Sequence, residues 1–389
     1  MRRPLGLALA ATSAAMLLAL TAAQAMANHV QCGEVITQDT TLDADLIDCP
    51  STAITIGADD ITFDLNGFGV RSACCGGTVG IAEEGHRGVR VENGGVHAEI
   101  GIRLSNARDT ELGGLDVAGN PALEVTNSTG TRLEASHVLG GIPAVRWVDS
   151  DYGAILDSTV LGYEEAVIME AGSDHNRVEG SRFSSHAAGG MTIRDSSHNR
   201  IAKNFFGDAW LGLRLVDATD NGVVRNRVHV ENAGITLFRS HRNRVEGNSV
   251  SFGAYCKLCL IDSDFNLIRG NESAIRIASG ADNALLRNTA NENQDDHFED
   301  GFFGADGILV MERASDTLLK DNHATRNADD GIDVRNLSSR LVHNTASVNG
   351  DLGIEAVPGV VGIGNRAFGN GNPLQCLNVV CRTNGKLGG

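Results

Sequence analysis

The chain has 389 residues and a formal net charge of −17, or about −19 once Arg2 and Arg3 leave with the leader described below. So acidic a surface repels nucleic acid and other polyanions. With 42% hydrophobic but only 4% aromatic residues, the core must be built from Val, Ile, Leu and Ala, and after the first thirty residues no apolar run is long enough to span a bilayer.

The opening stretch MRRPLGLALAATSAAMLLALTAAQAMA carries an Arg pair, a long apolar segment, and small residues at Ala25 and Ala27. This predicts a secretory signal over 1–27, removed before Asn28, and a secreted, periplasmic or extracellular protein with no membrane contact after signal removal. Eight cysteines in an exported chain predict disulfides. Local spacing favours Cys32 with Cys49 and Cys376 with Cys381, which would clip the two ends. Cys74, Cys75, Cys256 and Cys259 are left with their pairing open.

From Gly101 the pattern small, apolar, any, apolar recurs, with units starting at Gly101, Ala122, Ala144, Ala166, Gly190, Gly212, Gly234, Lys257, Ala274, Gly307, Gly331 and Gly353. The intervals are 21 to 24 residues, except 17 before Ala274 and 33 after it. A fixed period of this length marks a repeat architecture. Within units the apolar residues alternate, as in GLRLV and GITLF, so each unit opens with a strand. Two further short strands follow, such as NRVEGN and SVSF. Three short strands per unit fit one coil of a parallel β-helix. Two columns, Asn176 to Asn283 and Asn204 to Asn288, recur at fixed offsets. They predict asparagine ladders at corners, because Asn tolerates left-handed backbone and its amide can bond to neighbouring coils.

Units of the form GIxLxxSxxNxIxxN resemble right-handed parallel β-helix repeats, as found in pectate-lyase-like enzymes, alginate C5-epimerases and NosD accessory proteins. The opening CGEVITQDTTLDADLIDCPSTAITIGADDITFDLNG and the closing DLGIEAVPGVVGIGNRAFGNGNPLQC are similar to those of secreted β-helix proteins. The expected fold is all-β: a single-stranded right-handed parallel β-helix of about twelve or more coils. It would be bounded by an N-terminal cap over 28–60, a helix over 61–371, and a C-terminal cap and tail over 372–389. Stacked about 4.8 Å apart, twelve coils make a rod roughly 55 Å long with an elongated groove. A monomer is expected.

In lyase-like members of the fold, substrate lies along the first strand of each coil and the turn before it. The outward row there reads Arg103, Glu124, Arg146, Ile168, Thr192, Arg214, Thr236, Cys259, Arg276, Leu309, Asp333, Glu355. The preceding turns carry Tyr163, Trp210 and Tyr255 beside acids and histidines. Aromatic faces suit the CH groups of sugars, and carboxylates or imidazoles suit their hydroxyls. Tyr163, Trp210, Tyr255, Arg214 and Arg276 are therefore the candidate glycan-binding residues.

The longest turn, NQDDHFEDGFFGADG at 293–307, packs Asp295, Asp296, Glu299, Asp300 and Asp306 around His297, with Asp329, Asp330, Asp333 and Asp351 following. Carboxylates in such number suit calcium, which takes six to eight oxygens, so Asp296, Asp330 and Asp333 are candidate metal ligands. No cofactor is required by any motif. Elimination or epimerisation of a polyuronate needs a base and a positive group for the developing anion. His297, with Asp295 and Arg335, is the candidate set. Asp295 and His297 match the first and third positions of the Asp-Pro-His-Asp/Glu motif of alginate epimerases, while Asp296 and Phe298 depart from the other two. Hydrolysis would instead use two carboxyl groups, one kept protonated. A non-catalytic structural or adhesion rod and a NosD-like accessory role complete the alternatives.

Overall fold

The computed structural model describes residues 29–72, 76–253, 255–294, 305–383 and 386–388. The expected leader, Cys74, Cys75, Asp295, Asp296 and His297 lie outside them.

Short strands build every described coil. A representative one contains Ala233–Phe238, Arg244–Glu246 and Ser249–Ser251, each on a separate face. Each strand pairs with its counterpart one coil away. Ala233 lies opposite Cys256 on the first face, Arg244 opposite Leu267 on the second, and Arg227 opposite Ser249 on the third. All described pairings are parallel until the last, where Lys386–Gly388 turns back antiparallel onto Cys381–Thr383. The first face is one continuous sheet of 16 strands from Glu34–Ile36 to Cys376–Leu377. Parallel stacking therefore begins inside the stretch expected as an N-terminal cap and ends inside the one expected as a C-terminal cap, beyond 61–371 on both sides.

The interior is a stack of single-residue columns. On the second face Phe63, Val91, Leu112, Leu133, Ile155, Val178 and Ile201 are all buried, one per coil. Burying such a side chain contributes roughly 1.5–3 kcal/mol. Glycine at a unit start such as Gly212 or Gly234 has a steric cause. A Cβ on Gly212 would come within 2.4 Å of the Gly234 carbonyl oxygen, and one on Gly234 within 2.5 Å of the Lys257 carbonyl oxygen.

Asparagine columns brace the corners. In one, the Oδ1 of Asn199, Asn221, Asn243, Asn266 and Asn283 each accepts the backbone N–H of the preceding column member at 2.8–2.9 Å. The other column starts as serine. Ser136, Ser158 and Ser181 accept backbone N–H groups at 3.1–3.2 Å before Asn204 takes over at 2.9 Å. A third column, Asn293, Asn327, Asn349, Asn370 and Gln375, braces the last coils.

The expectation that these asparagines adopt left-handed backbone is corrected. The residue before each of them does so: His175, His198, Asp220, Arg242, Phe265 and Asp282 have φ of 55° to 59°. The geometric reason is a division of labour. The left-handed residue turns the chain and leaves its side chain outside, so the following asparagine can point inward to the next coil.

The 17-residue unit lacks a full third strand. There the third face is carried by Glu272 alone, bridged to Ser249 on one side and Thr289 on the other. Beyond it the third face resumes as a separate six-stranded sheet starting at Thr289–Asn291. Cys32 pairs with Cys49 and Cys376 with Cys381, as expected, at Cα separations of 5.3 and 6.5 Å. Cys256 and Cys259, whose pairing the sequence left open, form a third bridge with a Cα separation of 6.0 Å.

Candidate functional site

Strand register aligns the row as expected, although Thr192, Cys259, Leu309 and Asp333 are buried rather than exposed. Arg103, Glu124, Arg146, Ile168, Thr192, Arg214, Thr236, Cys259, Arg276, Leu309, Asp333 and Glu355 are directly opposed from one coil to the next. Much of the row is neutralised along its own length. Arg103 donates to Glu124 at 3.1 Å, and Arg146 bridges Glu124 at 3.5 Å and Glu170 at 3.4 Å. Arg214 donates to Glu165 and, at 3.1 and 3.2 Å, to the buried Thr192 hydroxyl. Its guanidinium is thereby fixed at the edge of the sheet rather than waving in solvent.

The turn before the first strand forms a rim. Trp210, Asn232 and Tyr255 follow one another up this rim through Asn232 N–H to Trp210 O at 2.9 Å and Tyr255 N–H to Asn232 O at 3.0 Å. Trp210 and Tyr255 are thus two coils apart, about 10 Å. Tyr163 stands two coils on the other side of Trp210, offset by one residue, because Ala187 donates to Tyr163 O and Leu211 to Ala188 O. Tyr163 is 60% exposed, Trp210 51% and Tyr255 38%. The Arg276 guanidinium lies 5.9 Å from the Tyr255 ring centroid. Phe252, 63% exposed and 5.5 Å from the His229 ring, extends the aromatic rim. Its place in the strand-like SVSF run hides it in the sequence.

Five coil steps beyond Arg214 the row ends in an acidic patch. Asp306 and Asp330 occupy the same place on successive coils, and Asp306 Oδ1 accepts the Asp330 N–H at 3.1 Å. Asp330 Oδ1 in turn accepts the Leu352 N–H at 2.7 Å. Arg335 Nε donates to Asp333 Oδ2 at 2.6 Å. Asp306, Asp330 and Asp333 are all buried. Burial, then Asp333 and Asp329, push the Asp306 carboxyl up to about 7. Burial and the hydrogen bond with the Glu355 side chain raise Asp330 well above the usual carboxylate range. Burial raises Asp333 as well, against the opposing pull of Arg335. One oxygen each from Asp330, Asp333 and Glu355 lie within 4.8 Å of one another, as do one each from Asp329, Asp330 and Asp351. Among the described residues the groups able to hold a cation are thus all-carboxylate, a donor set that suits calcium rather than copper.

The family comparisons agree with this architecture. Residues 83–254 match the model described as periplasmic copper-binding protein (NosD), and residues 253–380 match the one described as right handed beta helix region. The chain is a right-handed parallel β-helix repeat protein. No curated protein matches its sequence.

Solved structures similar to this β-helix include the Dettilon tailspike protein, 14% identical over 73% of this chain and 60% of that one, with a TM-score of 0.54. The chain therefore spans 60% of the tailspike's length. Others are a mutant of the periplasmic alginate epimerase AlgG, with 14% identity, 91% and 80% coverage and TM-score 0.44, and the Streptococcus pneumoniae surface protein and adhesin PfbA, with 12%, 90%, 91% and 0.34. The likeness to the tailspike is one of fold.

Within this β-helix the proposed residues do not form one pocket. Tyr163, Trp210, Tyr255, Arg214 and Arg276 line one edge, while Asp330, Asp333 and Arg335 gather further along it, five coil steps (about 24 Å) from Arg214 but only two (about 10 Å) from Arg276. Asp351 and Glu355 complete the acidic groups and were not singled out as ligands. Glu355 lies one coil after the candidate ligand Asp333, and Asp351 one coil after Asp329, which was not a candidate ligand either.

Proposed function

We propose that this β-helix binds an extracellular polysaccharide along the edge of its first sheet. The observation that carries the reading is the placing of exposed Tyr163, Trp210 and Tyr255 at two-coil steps beside a row of fixed Arg and Glu side chains. Aromatic faces at a regular spacing suit a polymer of repeated sugar rings, and a guanidinium held by Glu165 and Thr192 presents its remaining donors to ring hydroxyls at little entropic cost.

The acidic patch at the end of this edge is where chemistry would occur. Asp330, with its proton retained by burial, suits a general acid, and an ionised neighbour suits a base, as glycoside hydrolysis requires. A calcium ion on Asp329, Asp330, Asp333, Asp351 and Glu355 would instead neutralise the patch and offer a positive centre to a uronate. His297, Asp295 and Asp296 belong to this second scheme as base, partner and ligand, with Arg335 as anion stabiliser.

The test is a screen of the exported protein against alginate, pectate, glycosaminoglycans and neutral glycans, with and without chelator. Retention, absorbance at 235 nm from unsaturated uronate, and reducing ends are followed together. Trp210→Ala is expected to abolish retention on the polymer that the aromatic edge binds. Chelator-sensitive absorbance lost in His297→Ala supports the lyase scheme, and chelator-resistant reducing ends lost in Asp330→Asn support hydrolysis. Absence of retention on every polymer rejects glycan binding.

A further inference from the structure

A groove of about 1020 Å³ that the edge above does not use lies on the corner between the second and third faces. It runs from Asp45 to Thr159, crossing the first several coils. Its origin is a corner insertion. Five residues lead from Asp64 to Gly69, whereas three lead from Glu92 to Gly95 on the next coil and three from Gly113 to Asp116 on the one after. The extra length projects Asn66 to Phe68 as a ledge, pinned where Gly69 N–H donates to Asp45 Oδ1 at 2.7 Å.

Beneath the ledge the floor has few side chains. Gly94, Gly95 and Gly114 occupy the corner positions of the next two coils. A rim of polar groups follows coil by coil: Arg71 and His97 on one side, then Asp116, His137 and Thr159 in one column. His137 Nδ1 lies 3.2 Å from Asp116 Oδ1, which orients the imidazole along the rim. The next residue in that column is Arg182, whose guanidinium sits 4.4 Å from the centroid of Phe205 and follows the groove as a bulky wall.

We propose that this groove is a second ligand site, taking a neutral oligosaccharide. Three features set the ligand class. The floor of backbone and glycine CH groups with Phe68 above it accepts the apolar face of a sugar ring. The rim alternates acid, imidazole and hydroxyl at coil spacing, a supply of donors and acceptors that polyhydroxylated rings can satisfy. Asp45, Asp116 and Asp157 offset Arg71, so a polyanion gains no net attraction. The groove is open, which disfavours an apolar small molecule needing enclosure. The proposal stands apart from the aromatic edge and does not depend on it.

The experiment uses the exported protein, saturation-transfer NMR and calorimetry. The probes are neutral cello-, manno- and xylo-oligosaccharides, with oligogalacturonate and oligoalginate as anionic controls. Gly95→Leu fills the groove: a Cβ there meets nothing nearer than 3.9 Å, so the core is spared. At least one neutral probe is expected to bind both wild type and Trp210→Ala, and to bind Gly95→Leu at least tenfold more weakly. If Gly95→Leu does not fold, the surface double variant Arg71→Ala/His137→Ala gives the same reading. Unchanged affinity in a folded groove variant overturns the proposal. So does binding of anionic probes only, or the absence of any neutral probe bound by Trp210→Ala. Loss of binding in Gly95→Leu but not in Trp210→Ala assigns the probe to the groove and leaves the aromatic edge to its own retention test.

Discussion

Glu83 is a carboxylic acid in an otherwise apolar column, placed between Ile56 and Leu104 and held by the Thr110 hydroxyl at 2.9 Å. Burial pushes it up to about 7, with the Thr110 bond opposing the rise and nearby Asp59 adding slightly to it. Since the folded value exceeds the unfolded one, the folded state holds the proton that the unfolded state loses between pH 4.5 and 7. Stability should therefore fall across that window, by roughly 3 kcal/mol at most from this residue, and level off above it. Urea unfolding of wild type and Glu83→Gln at pH 5 and pH 8 checks the sign: the wild type should lose more stability on going to pH 8 than the variant does. Asp306 adds to the same trend, so the difference between the two proteins carries the result. Calcium provides a second residue-scale check. If the patch binds it, millimolar calcium should raise the melting temperature of wild type and leave Asp330→Asn unmoved.

Among the elements, the asparagine columns bear the clearest load. Asn226 accepts the Asn204 N–H at 2.9 Å and donates to Ile201 O at 2.9 Å and Asn248 Oδ1 at 3.0 Å, all out of water. Asn226→Ala would leave a backbone donor and a carbonyl unpaired inside the coil, at a cost of roughly 2–4 kcal/mol in chemical denaturation. The neighbouring Arg225, with φ of 56°, should tolerate Gly within about 1 kcal/mol but not Val. These elements were largely legible beforehand. Unit starts, the outward row and both named columns follow from period and offset, since a one-residue slip would turn Ile235 and Leu237 outward. What escaped was written in other letters. Serine at 136, 158 and 181 performs the task of asparagine, and the third column begins only after the 17-residue unit. Conformation escaped too, because the left-handed corner residue is set by its neighbour's need to face inward rather than by its own type. The acidic patch was half legible: composition pointed to the aspartates from 329 to 351, but stacking was needed to bring in Glu355 and to show which carboxylates meet.

At the scale of the whole molecule, each coil touches only its neighbours, so stability is a chain of local terms. The end bridges Cys32–Cys49 and Cys376–Cys381 should then protect the terminal coils alone. In hydrogen exchange, the Cys32→Ala/Cys49→Ala double variant is expected to speed exchange around Val35 to Ile56 while Val223 to Val245 stays as slow as in wild type. A uniform speeding would show that the molecule unfolds as one unit instead. The same reasoning bears on the coil in which Glu272 stands in for a strand. There two of the three faces carry the connection and the third contributes a single bridge. Pulled along its axis by its two ends, the rod should behave as two stiff segments joined at a mechanical fuse. The first rupture in an optical trap is expected at this coil, with the segments on either side still wound.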